Sequence, residues 1–138
     1  MKNQDKNLYY AISRTINVIQ RDAEKIFSKY DLTRGQFSIM EVLHKNGESS
    51  IGNVQETILM TGGNIPVIVN NLIKKGLLVR KQDEADRRRY LLSLTDAGNN
   101  LISKVIPEHD ALIKEFFSSV GSNEKNTLIN IFNYLSAK

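Results

Sequence analysis

The chain contains no cysteine, only two prolines and two histidines, and no apolar run near the roughly 20 residues a membrane helix needs. Without cysteine there is no disulfide framework, no thiol nucleophile, no thiolate zinc site and no cysteine-based redox switch. The N-terminal segment, residues 1–10, lacks the apolar stretch of a signal peptide, so a cytoplasmic protein without a membrane role is expected. No Ser-His-Asp spacing, no phosphate-binding Gly-rich loop after a strand and no metal-binding motif is present, and His44 and His109 fall in different predicted helices. An enzyme is therefore not expected, nor a bound cofactor or metal. What is present suits one globular domain: 138 residues, 41% of them apolar and 25% charged.

The positive charge is concentrated. Residues 1–73 hold eight Lys/Arg against seven Asp/Glu, and residues 90–138 hold four against five. Residues 74–89 hold seven, Lys74, Lys75, Arg80, Lys81, Arg87, Arg88 and Arg89, against three, Asp83, Glu84 and Asp86. This short stretch carries the chain's entire excess of +4. Such a segment is the footprint of a nucleic-acid contact or, alternatively, a solvated hairpin rich in charge.

Apolar periodicity predicts a mainly α-helical chain with a small β-hairpin. Leu8, Ile12, Ile16, Ile19, Ala23, Ile26 and Tyr30 mark one face of a long helix over about residues 5–29. Thr33 and Gln36 have capping-box spacing and open a second helix that buries Phe37, Met40 and Leu43 and stops at Asn46-Gly47. Ser49 or Ser50 caps a short third helix with Ile51, Val54 and Ile58 inward. After a turn at residues 60–63, a fourth helix starts near Gly62 or Gly63, because Pro66 fits only a first turn, and ends at Gly76. Two β-rich runs, residues 77–80 and 90–94, flank a polar loop and read as a hairpin. Thr95 caps a long helix that Pro107 is expected to kink, and Ser122 starts the last one. Two short helices, a turn, a helix and a hairpin follow the winged helix-turn-helix order, in which the second helix of the motif lies in the major groove. The expected organisation is a DNA-binding lobe over residues 31–95, with residues 1–30 and 96–138 as dimerisation helices whose apolar faces are too wide for one small domain to cover.

The run Asp86-Arg87-Arg88-Arg89-Tyr90-Leu91-Leu92-Ser93-Leu94-Thr95-Asp96-Ala97-Gly98 resembles the wing signature of the multiple-antibiotic-resistance regulator (MarR) family. Leu32-Thr33 with Gln36-Phe37, and Asn71-Leu72 with Lys75-Gly76-Leu77, are similar to it as well, so the resemblance spans nearly the whole chain. It implies a homodimer with two winged lobes on a pseudo-palindromic operator, usually a repressor released by a small molecule. Arg87 and Arg88 at the hairpin tip suit a narrow minor groove, whose negative potential attracts guanidinium groups. Asp86 either orients Arg88 and braces the wing, as the family motif implies, or is a plain turn residue. On the fourth helix Asn64, Val67, Asn71 and Lys74 lie opposite the core positions; asparagine pairs with adenine and valine touches a thymine methyl. The arginines common there in the family are missing, which suggests an A·T-leaning operator. Lys74, Arg87 and Arg89 are expected to set affinity, and Asn64 and Asn71 sequence preference. Thr61 with the N–H groups of Gly62 and Gly63 either holds a phosphate or serves only the turn.

The family's effector pockets lie between the lobe and the dimer helices, where Tyr9, Tyr10, Phe37, His44 and Phe116 are candidate liners or plain core. Residues 60–72 resemble a branch that responds to quinones and phenolic compounds, which points to a small aromatic effector. Some relatives bind zinc; here His44 and His109, with Glu41, Glu108 and Asp110 near them in sequence, do not make a four-ligand site. A winged-helix module that binds a protein instead of DNA is the competing class, and three consecutive arginines at the wing tip speak against it.

Overall fold

The computed structural model describes residues 3–58 and 64–137. Their elements are α1 (Gln4–Lys29), α2 (Arg34–Asn46), β1 (Ser49–Ser50), α3 (Ile51–Thr57), α4 (Ile65–Lys74), β2 (Leu78–Gln82), β3 (Tyr90–Leu94), α5 (Asp96–Phe116) and α6 (Ser122–Ser136). The strands form one antiparallel sheet in the order β1-β3-β2. The mainly helical winged architecture thus matches the sequence pattern, with β1 added. That strand is two residues long, too short to show alternation, and pairs Ser49 with Leu92 and Ser50 with Leu91.

Local chemistry sets the helix ends. Thr33 Oγ1 accepts from Gln36 N and Gln36 Oε1 accepts from Thr33 N, so the capping box closes in both directions. Ser50, not Ser49, caps α3 through its Oγ and Asn53 N. At the end of α1, Asp31 takes φ 56°, and Asp31 N and Leu32 N donate to the carbonyls of Ser28 and Phe27. The same geometry ends α4, where Gly76 has φ 77° and Leu77 N donates to Leu72 O. The start of α4 differs from expectation. Its first helical residue is Ile65, with Asn64 as N-cap, so Pro66 occupies the second helical position, where no intrahelical donor is lost. The turn expected at residues 60–63 lies outside the described residues. Helix α5 continues through Pro107.

The core sits where α2, α4 and the sheet close on α5 and the second half of α1. Phe27 stacks on Phe37 with ring centroids 4.4 Å apart. Ile39, Met40, Val54, Val69, Leu72, Leu78, Leu92, Ile102 and Val105 are buried around them. The long apolar stripe of α1 is only partly used. Ala23 is buried, and Ile26 and Tyr30 pack against the core, but Leu8, Ile12 and Ile16 are exposed. Phe27, one turn after Ala23 on the same face, is buried as well, because the second half of α1 meets both α2 and α5.

A close approach joins the hairpin to α5. Thr95 N donates to Leu77 O at 3.0 Å, Thr95 Oγ1 donates to Gly76 O at 2.7 Å, and the same hydroxyl accepts from Gly98 N. Leu77 O consequently lies against Gly98, where an added Cβ would sit 2.2 Å from it. A second tie joins α1 to α5: Glu108 accepts from the Lys29 ammonium and the Tyr30 hydroxyl. Lys29, and then Tyr30, hold the Glu108 carboxyl below its ordinary value of 4.5. Glu108 in turn raises Lys29 above 10.5.

Two tests follow from these ties. Gly98→Ala forces backbone atoms apart and lowers stability by about 1–3 kcal/mol in urea unfolding. Gly52→Ala, whose Cβ meets only Ser50 Oγ at 3.9 Å, is neutral or stabilising in the same assay. For the charged tie, the Glu108 contribution is present above its ordinary value and is lost as pH falls through the lowered one. The Lys29 contribution is present below 10.5 and is lost as pH rises through the raised value. Glu108→Gln therefore removes stability between these limits, and its melting midpoint converges on the parent's at both extremes.

Candidate nucleic-acid interface

Two surfaces carry the residues expected to meet DNA. The first is the outer face of α4. Val69 and Leu72 anchor this helix in the core, and the opposite side exposes Val67, Asn71 and Lys74, with Asn64 exposed at the N-cap. Val67 is 51% exposed, so its methyl groups are open to a partner. The Asn64 side chain makes no capping hydrogen bond to α4 among the described residues. Asn70 is exposed beside Asn71 and was not among the expected contacts. Thr61, Gly62 and Gly63 lie outside the described residues.

The second surface is the hairpin tip, the wing. Asp86 is its organiser. One carboxylate oxygen accepts from Arg88 N at 3.1 Å and Arg88 Nε at 3.0 Å, and the other accepts from Arg88 Nη2 at 3.2 Å. The Arg88 guanidinium, then the Arg88 backbone N–H, hold the Asp86 carboxyl below its ordinary value of 3.8. The Arg88 side chain stays 91% exposed, so the fork fixes its direction without burying it. Asp83 performs a similar duty at the loop's other side: its carboxylate accepts from Ala85 N and lies 3.9 Å from Arg89 Nε. Backbone bonds from Asp83 N to Arg89 O and from Arg89 N to Asp86 O close the loop, and the Gln82 amide donates to Arg87 O. Arg87 has no carboxylate partner among the described residues.

The wing's flanks are charged as well. Arg80 lies over the Tyr90 ring, 5.1 Å from its centroid, across the β2–β3 pair. Lys81 pairs with Glu48 at 3.1 Å, which ties the hairpin to the segment before β1. The sequence places Arg80 and Tyr90 on opposite hairpin arms, but their contact depends on strand register. That register sets Arg80 opposite Leu92 and Gln82 opposite Tyr90.

The candidate effector residues do not gather in one chain. Phe37 is buried in the core between Phe27 and His109. Tyr9 and Tyr10 are exposed and lean on each other at 5.4 Å. His44 is exposed in the last turn of α2, and Phe116 meets Phe117 edge-on at the end of α5. His109, weighed in the sequence only as a metal ligand, joins the Phe27–Phe37 aromatic cluster. Its ring lies 4.8 Å from Phe37 and 5.6 Å from Phe27, a placement no local sequence signal announces.

The comparisons agree with this geometry. The family model for the transcriptional regulator SarA/Rot matches residues 22–105. The HTH-type transcriptional regulator PecS of Dickeya dadantii is 30% identical over 120 residues, covering 85% of this chain and 72% of that protein. A mutant MarR from E. coli, solved in complex with operator DNA, superposes with a TM-score of 0.83 at 19% identity, over 96% of each chain. Bordetella bronchiseptica BpsR, whose DNA binding is regulated by 6-hydroxynicotinic acid, gives a TM-score of 0.80 at 21% identity, over 99% of this chain and 95% of that one. The winged-helix fold is shared with the solved MarR structure, and the chain belongs to the SarA/Rot family of transcriptional regulators and is not an enzyme.

Proposed function

We propose that this regulator acts as a homodimeric repressor. In this reading it binds a pseudo-palindromic, A·T-leaning operator and is released by a small hydroxylated aromatic compound. The observation that carries the DNA-binding part is the Asp86–Arg88 fork. It holds one guanidinium outward at a wing tip where Arg87 and Arg89 add charge. A guanidinium held in advance loses less side-chain freedom on entering a minor groove than a free one. The α4 face then reads bases with Asn64, Asn71 and Val67, while Lys74, Arg87 and Arg89 meet phosphates. Thr61, Gly62 and Gly63, just before α4, add phosphate contacts in this reading.

The dimer rests on uncovered apolar surface. Leu8, Ile12 and Ile16 on α1 and Leu128, Ile129, Ile131, Phe132 and Leu135 on α6 are all exposed, and no residue of α6 is buried. Patches of this extent on terminal helices fit a second copy of the chain. Residues 1–30 and 96–138 then form the dimer body and residues 31–95 the two lobes. The effector part is supported by BpsR, which shares the fold and answers to a hydroxylated aromatic acid. With Phe37 already in the core, such a ligand would rely on Tyr9, Tyr10 and Phe116, with His44 at the lobe side, only where the partner completes the pocket. It would act by favouring a lobe spacing that no longer matches successive major grooves.

Arg88→Ala is expected to weaken operator binding by roughly 10- to 100-fold at about 150 mM salt, read by fluorescence anisotropy. Its melting midpoint stays unchanged. Asp86→Asn keeps the guanidinium but loosens it, and weakens binding less. Because the Asp86 carboxyl is held below 3.8, its fork is complete above that value and opens only as pH falls through the lowered one, so operator affinity gains no acid limb from Asp86 near neutrality. Parent-like affinity of Arg88→Ala would remove the wing from the account. Ile129→Glu, on the exposed face of α6, is expected to shift the protein from dimer to monomer in sedimentation velocity; a persistent dimer places the interface elsewhere.

A further inference from the structure

Glu41 of α2 and His109 and Asp110 of α5 are far apart in sequence, yet the fold brings them together. One ligand atom from each lies within 4.8 Å of the other two. We infer that these three side chains form a binding site for a divalent first-row transition-metal ion, with zinc the best fit and water completing the coordination. One imidazole nitrogen and two carboxylate oxygens are a donor set that zinc accepts at about 2.0–2.2 Å, which puts neighbouring ligand atoms about 3.3 Å apart. An ion would draw the three ligand atoms inward from the 4.8 Å within which they lie.

Three features of the surroundings support a site over a chance encounter. The His109 ring is oriented by packing, with Phe37 at 4.8 Å and Phe27 at 5.6 Å, and so is not a freely swinging surface imidazole. Phe37 and Glu41 are four residues apart on α2, so the helix presents the ring that orients His109 and the carboxylate that joins it on one face. Neither Glu41 nor Asp110 is paired with a Lys or Arg among the described residues, whereas the adjacent Glu108 is taken up by Lys29 and Tyr30. That tie also anchors the turn of α5 that carries His109 and Asp110. Glu41 and His109 are both half-buried and Asp110 is exposed, which leaves an open side for entry of the ion and for water. An ion here would clasp α2, within the lobe, to α5, which leads out of it. The inference concerns metal binding alone and does not rest on the operator reading.

The test is titration of the metal-free full chain with zinc chloride, by calorimetry and with the cobalt ion as a visible-absorbance probe. One ion per chain is expected, together with a rise in melting midpoint. Glu41→Gln and Asp110→Asn, both outside the packed core, should each weaken binding by about ten-fold or more, at least the loss typical of disturbing a ligand's supporting shell. His109→Ala should abolish it, and His44→Ala should leave it unchanged. No binding by the parent overturns the site. So does binding that survives Glu41→Gln and Asp110→Asn undiminished, or that is lost in His44→Ala.

Discussion

The contact between the Leu77 carbonyl oxygen and Gly98 is the constraint on which the functional geometry depends. It lets the first turn of α5 lie against the start of β2, and Thr95 locks that approach with three hydrogen bonds. The consequence is directional. The hairpin's base is fixed to α5, so the wing leaves the body at a set angle. Leu78 and Leu92, one on each arm, are buried beneath it. On the other side of Leu77, Gly76 in the left-handed conformation turns the chain out of α4. Helix, strand and second helix therefore converge within a few residues, and both surfaces proposed to meet DNA are positioned by one corner. The Leu-Thr-Asp-Ala-Gly end of the wing signature is the chemistry of that corner.

From it, stiffness passes to the wing tip by electrostatics and not by burial. The tip is exposed, so exposed ion pairs there add little to stability. Their value is geometric. Asp86 and Asp83 each combine a backbone acceptor role with an arginine partner, which makes the loop's shape and its charge display the same set of bonds. The acidic residues inside the basic segment thus serve to arrange cations, at the cost of part of the net charge.

Much of this could be read in the sequence, for identifiable reasons. Capping signals act over three residues, so Thr33 and Thr95 were legible where they stand, and the cap of α3 was narrowed to Ser49 or Ser50. Alternating and helical apolar patterns gave the winged order, and the Asp86–Arg88 fork is a two-residue interaction that motif and chemistry both suggest. What escaped was non-local. β1 exists only because β3 lies beside it, and the entry to α4 is two or three residues later than Pro66 alone implied. The stripe read along α1 omits Phe27, one turn after Ala23, although the core covers it. The encounter of His109 with Phe27, Phe37 and Glu41 requires α5 to cross α2, which no spacing within either helix encodes. The effector residues were the least legible, since aromatic side chains in core and in pockets have the same pattern. Phe37 is core, and Tyr9 and Tyr10 are bare in a single chain.

The central claim is sequence-specific operator recognition by two copies of the lobe. Selection of bound duplexes from a random DNA pool by the purified protein, at moderate salt, tests it most directly. The account predicts enrichment of an A·T-rich inverted repeat whose half-site centres lie about 34 Å, one helical turn, apart. Salt-sensitive binding with no enriched sequence would contradict it, reducing the wing to a general phosphate contact.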